Sequence, residues 1–303
     1  MNKYYGVILI IIAGALALGC VGQQPGESLD IKGSDTMVQL VADMAESYNE
    51  ANPDADVIVT GGGSGTGIAA LINGEVSIAD SSRPIKTKEI DQAKGKGIEP
   101  WEFIIARDGL AVIVNPDNPV TELTMDQVGA IYRAEIINWN QVGGEDGEIT
   151  LYGRQSTSGT YEFFLKHVVN WEQAEKQDYS PGMLNMEGNK AIADGVKADP
   201  SGIGYIGVGY VTGEIRTINV AEDNESGYYS PLDASNVEQG LYPITRPLYQ
   251  YTSGKPDKDS ITYDFLQFEL SEEGQKIVEN AGFYPINLDD RASNEEKISA
   301  IEG

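Results

Sequence analysis

Three short turns made of Gly, Ser and Thr sit where apolar runs give way to helical spacing. They are Gly33-Ser34-Asp35-Thr36, Gly61-Gly62-Gly63-Ser64-Gly65-Thr66-Gly67, and Ser156-Thr157-Ser158-Gly159-Thr160, which begins two residues after Arg154. A strand that hands over to a helix through a tight turn is half of a βαβ unit. Repeated, such units build an α/β fold with a parallel-type sheet and ligands at the C-terminal strand ends. Each turn presents hydroxyls and free backbone N–H groups at a helix N-terminus, where the macrodipole favours negative charge. One such turn is ordinary capping. Three on one chain, one beside an arginine, point to a cage for a small oxyanion.

The same alternation runs along the rest of the chain. A strand at 29–33 precedes helical spacing of Met37, Leu40, Val41, Met44 and Tyr48, closed by Asn52-Pro53. The run 57–60 leads into the glycine turn, and 76–79 is a strand ending at Asp80-Ser81-Ser82-Arg83-Pro84. Residues 103–106 and 110–114 read as consecutive strands separated by Arg107-Asp108-Gly109. A strand at 149–152 enters the third turn, followed by helix over 161–169; 203–211 is a strand, and 242–251 is an extended return broken by Pro243 and Pro247. The polar stretch 222–239 reads as a surface loop.

The 303 residues, 41% of them apolar, suffice for one large or two ordinary domains. Lys3 precedes an apolar run over 7–18, about a dozen residues and short of a membrane span. It ends in Leu16-Ala17-Leu18-Gly19-Cys20, which resembles a lipobox. The expectation is a lipoprotein signal peptide over 1–20, lipidation at Cys20 and a flexible tether over 21–28. The protein then works outside the cytoplasm, anchored to the outer face of the membrane. Cys20 is the only cysteine, which removes intrachain disulfides and Cys-based zinc sites. With 47 acidic against 21 basic residues, the net charge of −26 repels nucleic acid and anionic lipid. It does not forbid an anion ligand, because exposed charges are screened within about 8–10 Å while cage donors act at contact.

Enzyme motifs fail one by one. The single histidine, His167, lies inside a helix and reads as a packing or surface residue. Ser64 misses the nucleophile elbow because position 66 is Thr where Gly is required, and no Gly-Lys-Ser/Thr occurs. Gly202-Ile203-Gly204-Tyr205-Ile206-Gly207 matches a dinucleotide fingerprint by letter, but β-like residues follow it. No carboxylate pair stands out by spacing, and the expectation is no metal and no cofactor.

The three turns, Ala79-Asp80-Ser81-Ser82-Arg83-Pro84, Gly202-Ile203-Gly204-Tyr205 and Gly282-Phe283-Tyr284-Pro285 together resemble the phosphate-binding proteins of phosphate-specific ABC importers, over nearly the whole mature chain. The resemblance implies a two-lobed periplasmic-binding-protein-like fold (type II) with crossing hinge strands. Lobe I is then 29–108 plus 246–303 and lobe II is 109–245. It implies a monomer that captures inorganic phosphate without chemistry and passes it to a membrane permease. Carried over by motif, the ligand set is Ser34, Asp35, Thr36, Ser64, Ser82, Arg83, Arg154, Ser158, Gly159 and Thr160. Two departures stand out: Ser156 and Ser82 occupy positions where many members carry an acid. The acceptor of a phosphate proton is therefore open among Asp35, Asp80 and the hydroxyls. Sulfate, molybdate or tungstate are the alternative ligands, a phosphoester hydrolase or a ligand-free adhesion module the alternatives from other classes.

Overall fold

The computed structural model describes residues 27–302; the predicted signal peptide, Cys20 and residues 21–26 lie outside them. Strand β1 (Glu27–Gly33) starts two residues earlier than expected, pairing Glu27 and Ser28 with Ala55 and Asp56. Helix α1 (Val38–Ala51) buries Leu40, Val41, Met44, Ala45 and Tyr48, the stripe that helical spacing required. Strand β2 (Ala55–Thr60), α2 (Ser64–Asn73), β3 (Ile78–Ser81) and α3 (Thr87–Gly95) complete this part. β1 lies between β2 and β3, parallel to both, so all three strands aim their C-terminal ends at the same edge.

The runs 103–106 and 110–114 are one strand, β4 (Trp101–Val114), not two. The charged interruption is absorbed by partners from far along the chain. Backbone groups of Arg107 pair with Tyr284, its guanidinium meets Asp290 at 2.6 Å, and buried Asp108 faces Arg246. One continuous strand therefore feeds two cores. Phe103 and Ile105 join Leu29, Leu40, Met44 and Phe265, whereas Leu110, Val112 and Val114 join Leu123, Tyr132, Phe164 and Tyr205.

The second half holds β5 (Glu122–Thr124), α4 (Met125–Tyr132), β6 (Thr150–Arg154), α5 (Gly159–Phe164), β7 (Leu184–Met186), α6 (Asn189–Ala198), β8 (Gly202–Gly207), β9 (Arg216–Thr217), β10 (Asn219–Ala221) and α7 (Ala234–Glu238). Three local expectations change. α5 passes into a π-turn at Leu165–Val169; β8 stops at Gly207 and a 3-10 turn follows; and 222–239 contains the short α7. The chain returns through β11 (Thr245–Thr252), then α8 (Ile261–Leu270), α9 (Glu272–Asn280) and α10 (Leu288–Glu302). β11 runs antiparallel between β3 and β4, and the sheet order is β2-β1-β3-β11-β4-β8-β6-β7, with β9 on β4 and β10-β5 apart. The fold is thus a two-lobed α/β structure in which β4 carries the sheet from one half to the other. Among the described residues no helix is long and apolar enough to cross a membrane.

Candidate anion site where the two halves meet

The three turns converge. Gly63 has φ +90°, and a Cβ there would come 2.7 Å from the Thr157 carbonyl oxygen, so glycine alone lets the second and third turns touch. The Gly65 N–H then donates to that carbonyl at 3.2 Å. A Cβ on Gly159 would collide with the hydroxyls of Ser64 and Ser82. The first turn is tied to the same place, with Ser34 N–H on the Asp80 carbonyl (3.0 Å) and Gly63 N–H on the Gly33 carbonyl (2.8 Å).

The hydroxyls meet in pairs. Thr36 Oγ1 lies 2.9 Å from Thr160 Oγ1, and Ser64 Oγ lies 3.3 Å from Ser82 Oγ while accepting from Ser82 N–H at 3.1 Å. Ser158 caps α5, its Oγ accepting from Thr160 and Tyr161 N–H. Ser34, Thr36, Ser64, Ser82, Ser158 and Thr160 are all buried.

Arg154 ends β6 and is buried; its backbone N–H donates to the Tyr205 hydroxyl at 3.2 Å. Nη2 donates to Asp35 Oδ2 at 2.6 Å and Nη1 to Asn189 Oδ1 at 3.4 Å, but the buried Nε has no partner among the described residues. Burial pushes its pKa down, and the Asp35 charge opposes the shift. An unpaired buried donor on a guanidinium is costly, and an anion would satisfy it. Asp35 is spent on this pair and on Gly62 N–H at 2.7 Å, so it bridges two turns through protein donors.

Arg83 reaches the cluster differently from the sequence expectation. Its guanidinium forks onto Glu89 (2.7 and 2.8 Å), and its Nε takes Glu162 at 3.1 Å, with Lys86 Nζ on the same carboxylate at 2.6 Å. Each of its three nitrogens meets a carboxylate, and Nη1 also donates to the Pro84 carbonyl at 2.9 Å. Asp80 also turns away: the Gln250 amide bridges Asp80 Oδ1 and Glu269 Oε1 at 3.1 Å each. Burial raises the Asp80 pKa from 3.8 to about 7 and raises Glu269 well above its ordinary value. The folded protein therefore holds more protons than the unfolded chain between about pH 4 and 7, and its stability falls as pH rises through that window. Asp80→Asn is expected to flatten this slope in melting temperatures measured at pH 5 and pH 8.

Sequence reading missed the floor of the cluster. Arg246 on β11 and Asp108 on β4 are register partners, both buried. Arg246 Nε and Nη2 donate to Asp108 Oδ2 at 3.2 and 2.8 Å, Nη1 donates to the Ser82 carbonyl at 3.0 Å, and Nη2 also reaches Thr160 Oγ1 at 2.8 Å and Thr36 Oγ1 at 3.4 Å. Burial disfavours both charges, and their mutual contact offsets it. Asn189, the first residue of α6, was missed as well; only the Gly188-Asn189 helix start hinted at it.

Comparison with known proteins fits this architecture. A model of the PBP superfamily domain matches residues 21–273. The phosphate-binding protein PstS of Pseudomonas aeruginosa is 32% identical over 274 residues, 86% of this chain and 83% of the relative. That of Staphylococcus epidermidis is 32% identical over 313 residues, 96% of this chain and 93% of the relative. A crystal structure of a putative phosphate ABC transporter substrate-binding protein from Clostridium perfringens, with bound phosphate, aligns at TM-score 0.74 and 29% identity over 86% of this chain and all of that one. The two-lobed fold with its cleft cluster defines a substrate-binding protein of the PBP superfamily, and within that class the chain belongs to the PstS family of ABC-transporter phosphate-binding proteins.

Proposed function

We propose that this chain captures inorganic phosphate between its two lobes and delivers it to the permease of an ABC importer, as a monomeric, non-enzymatic lipoprotein held outside the cytoplasm through Cys20. The observation that carries the reading is Arg154, whose buried Nε has no partner among the described residues and lies among hydroxyls contributed by both halves of the sheet. Thr36, Ser64 and Ser82 come from the part before β4 crosses, Ser158, Gly159 and Thr160 from the part after it. We take 29–108 plus 246–303 and 109–245 as the lobes, with the Asp108–Arg246 pair at the crossing. Hydroxyl and guanidinium donors replace the hydration shell of the anion, and lobe closure excludes water. Binding without turnover is the chemistry supported: His167 stacks on Phe163 at 4.3 Å, where burial lowers its pKa.

A thermal-shift panel with phosphate, arsenate, sulfate, molybdate and tungstate tests the ligand class, since a ligand that binds only the folded state raises the melting temperature. No anion-dependent shift refutes the reading. Lipidation is tested separately by mass spectrometry of the N-terminal peptide, with Cys20→Ala expected in the medium.

In this reading Arg83 is a clasp on lobe I and not an anion donor, because Glu162 of α5 ties Arg83 and Lys86 across the cleft. The link is half-exposed and so worth little in absolute terms. Glu162→Gln is expected to weaken phosphate binding about two- to fivefold at low salt. The difference should vanish at high ionic strength, as read by calorimetry in both buffers.

A further inference from the structure

Two stretches that the anion cluster leaves unused meet beside it: the 3-10 turn Val208–Tyr210 and the segment Gly282-Phe283-Tyr284-Pro285. Gly209 lies so close to the second stretch that a Cβ there would stand 2.7 Å from the Ala281 carbonyl oxygen and 2.7 Å from the Phe283 ring. A Cβ on Gly282, which has φ +79°, would in turn come 3.3 Å from Gly209 Cα. The two backbones thus pass glycine to glycine, an approach that side chains would block. One residue further on, the Tyr210 hydroxyl donates to the Asp35 carbonyl at 2.9 Å, with the Thr36 carbonyl beside it at 3.3 Å.

Each stretch packs into both halves of the molecule. Val208 joins the core of Leu110 and Tyr205, whereas Tyr210 also lies against the core of Leu40 and Phe265. Phe283 belongs to that second core, and Tyr284, the next residue, to the first. Tyr284 exchanges two backbone hydrogen bonds with Arg107 of β4, at 2.8 and 3.0 Å. The segment is therefore pinned to the crossing strand, and the Val208–Tyr210 turn lies on it. Beyond Tyr210 a cavity of about 510 Å³ lies between Gln39 and Asp43 of α1 and Lys190 and Asp194 of α6. On this flank the turn carries the contact between the halves.

Resting on the reading of two lobes that come together on phosphate, we propose that Gly209 and Tyr210 are positioning residues for capture: Gly209 lets lobe II settle on Ala281–Phe283 of lobe I, and the Tyr210 hydroxyl then holds the Ser34–Thr36 turn from the opposite lobe. That hydroxyl grips backbone, which leaves the Asp35 carboxylate to Arg154 and the Thr36 hydroxyl to Thr160 and Arg246. A contact made only when the lobes are together favours the closed form selectively, and apparent affinity scales with the population able to close. A methyl at position 209 props the lobes apart. It would press on a carbonyl and on a ring that is 4% exposed in its core, so the strain is relieved by moving one lobe away from the other.

The test is calorimetry and stopped-flow kinetics of the mature protein with inorganic phosphate, beside small-angle X-ray scattering with and without it. Gly209→Ala is expected to weaken phosphate binding at least about tenfold and to shrink the phosphate-induced fall in radius of gyration. The urea midpoint of the ligand-free protein should stay near the wild type, since the strained contact belongs to the closed form. Gly213→Ala, in the same stretch but with nothing within 4 Å of the added methyl, should match the wild type throughout. Tyr210→Phe keeps the ring and should weaken binding about two- to tenfold. Its loss should fall on the dissociation rate, because the hydrogen bond forms after the anion has entered. Wild-type affinity in Gly209→Ala, or a wild-type dissociation rate in Tyr210→Phe, overturns the proposal. So does a Gly209→Ala protein that loses urea stability while its folded fraction binds as the wild type does. Phosphate binding by the wild type without contraction overturns the proposal and leaves capture intact; absence of binding by the wild type overturns capture itself.

Discussion

Phosphate binding by Arg154→Ala is expected to fall at least about 100-fold in calorimetry, with little change in the melting temperature of the ligand-free protein. Arg154 has two routes to matter. Its Nε is a buried donor with no partner among the described residues, and its Nη2 neutralises Asp35 at 2.6 Å. Hydrogen bonds to charged groups contribute about 1.5–3 kcal/mol each, so losing two in a dry site gives about 100-fold or more. Removal also leaves the Asp35 carboxylate beside the cleft, where it repels the incoming anion. Arg154→Lys discriminates between charge and geometry, since an ammonium cannot serve Asp35, Asn189 and an anion through one planar fork. Recovery of wild-type affinity by lysine would reduce Arg154 to a point charge.

The second large effect is on stability. Arg246→Ala leaves Asp108 buried without its cation, and breaking a buried pair by removing one partner costs about 3–5 kcal/mol. The companion double change Asp108→Asn with Arg246→Gln removes both charges at similar volume, and is expected to unfold in urea at a midpoint much nearer the wild type. The contrast matters more than either value. If single and double variants unfold alike, the pair is not the electrostatic unit its 2.8 Å contact implies.

The turns were legible because their composition is forced. Only glycine fits at Gly63 and Gly159, and short hydroxyl side chains are what helix starts use. The stripe of α1 was legible for an equally local reason. What escaped depends on register. Asp108 and Arg246 are 138 positions apart, and Asp35 and Arg154 are 119 apart. A charged triplet inside an apolar run therefore looked like the end of a strand, although Asp290 and Arg246 make it part of β4. Arg83 shows the same dependence: its neighbours in sequence suggest an anion donor, and Glu162, supplied by α5 after the crossing, sets a carboxylate on its Nε. The departure at Ser156 has a counterpart of the same kind, since the acid that meets Arg154 comes from the first turn.

The direction of β1 carries a consequence for handling the molecule. Glu27 opens the strand and Gly33 closes it at the turn cluster, so the described residues begin about 20 Å from that cluster at the rise of an extended strand. A dye, resin or fusion partner attached ahead of Glu27 is thereby kept clear of the closing edge. Immobilised by that end, the protein presents its cleft outward, the orientation a surface-bound anion sensor requires.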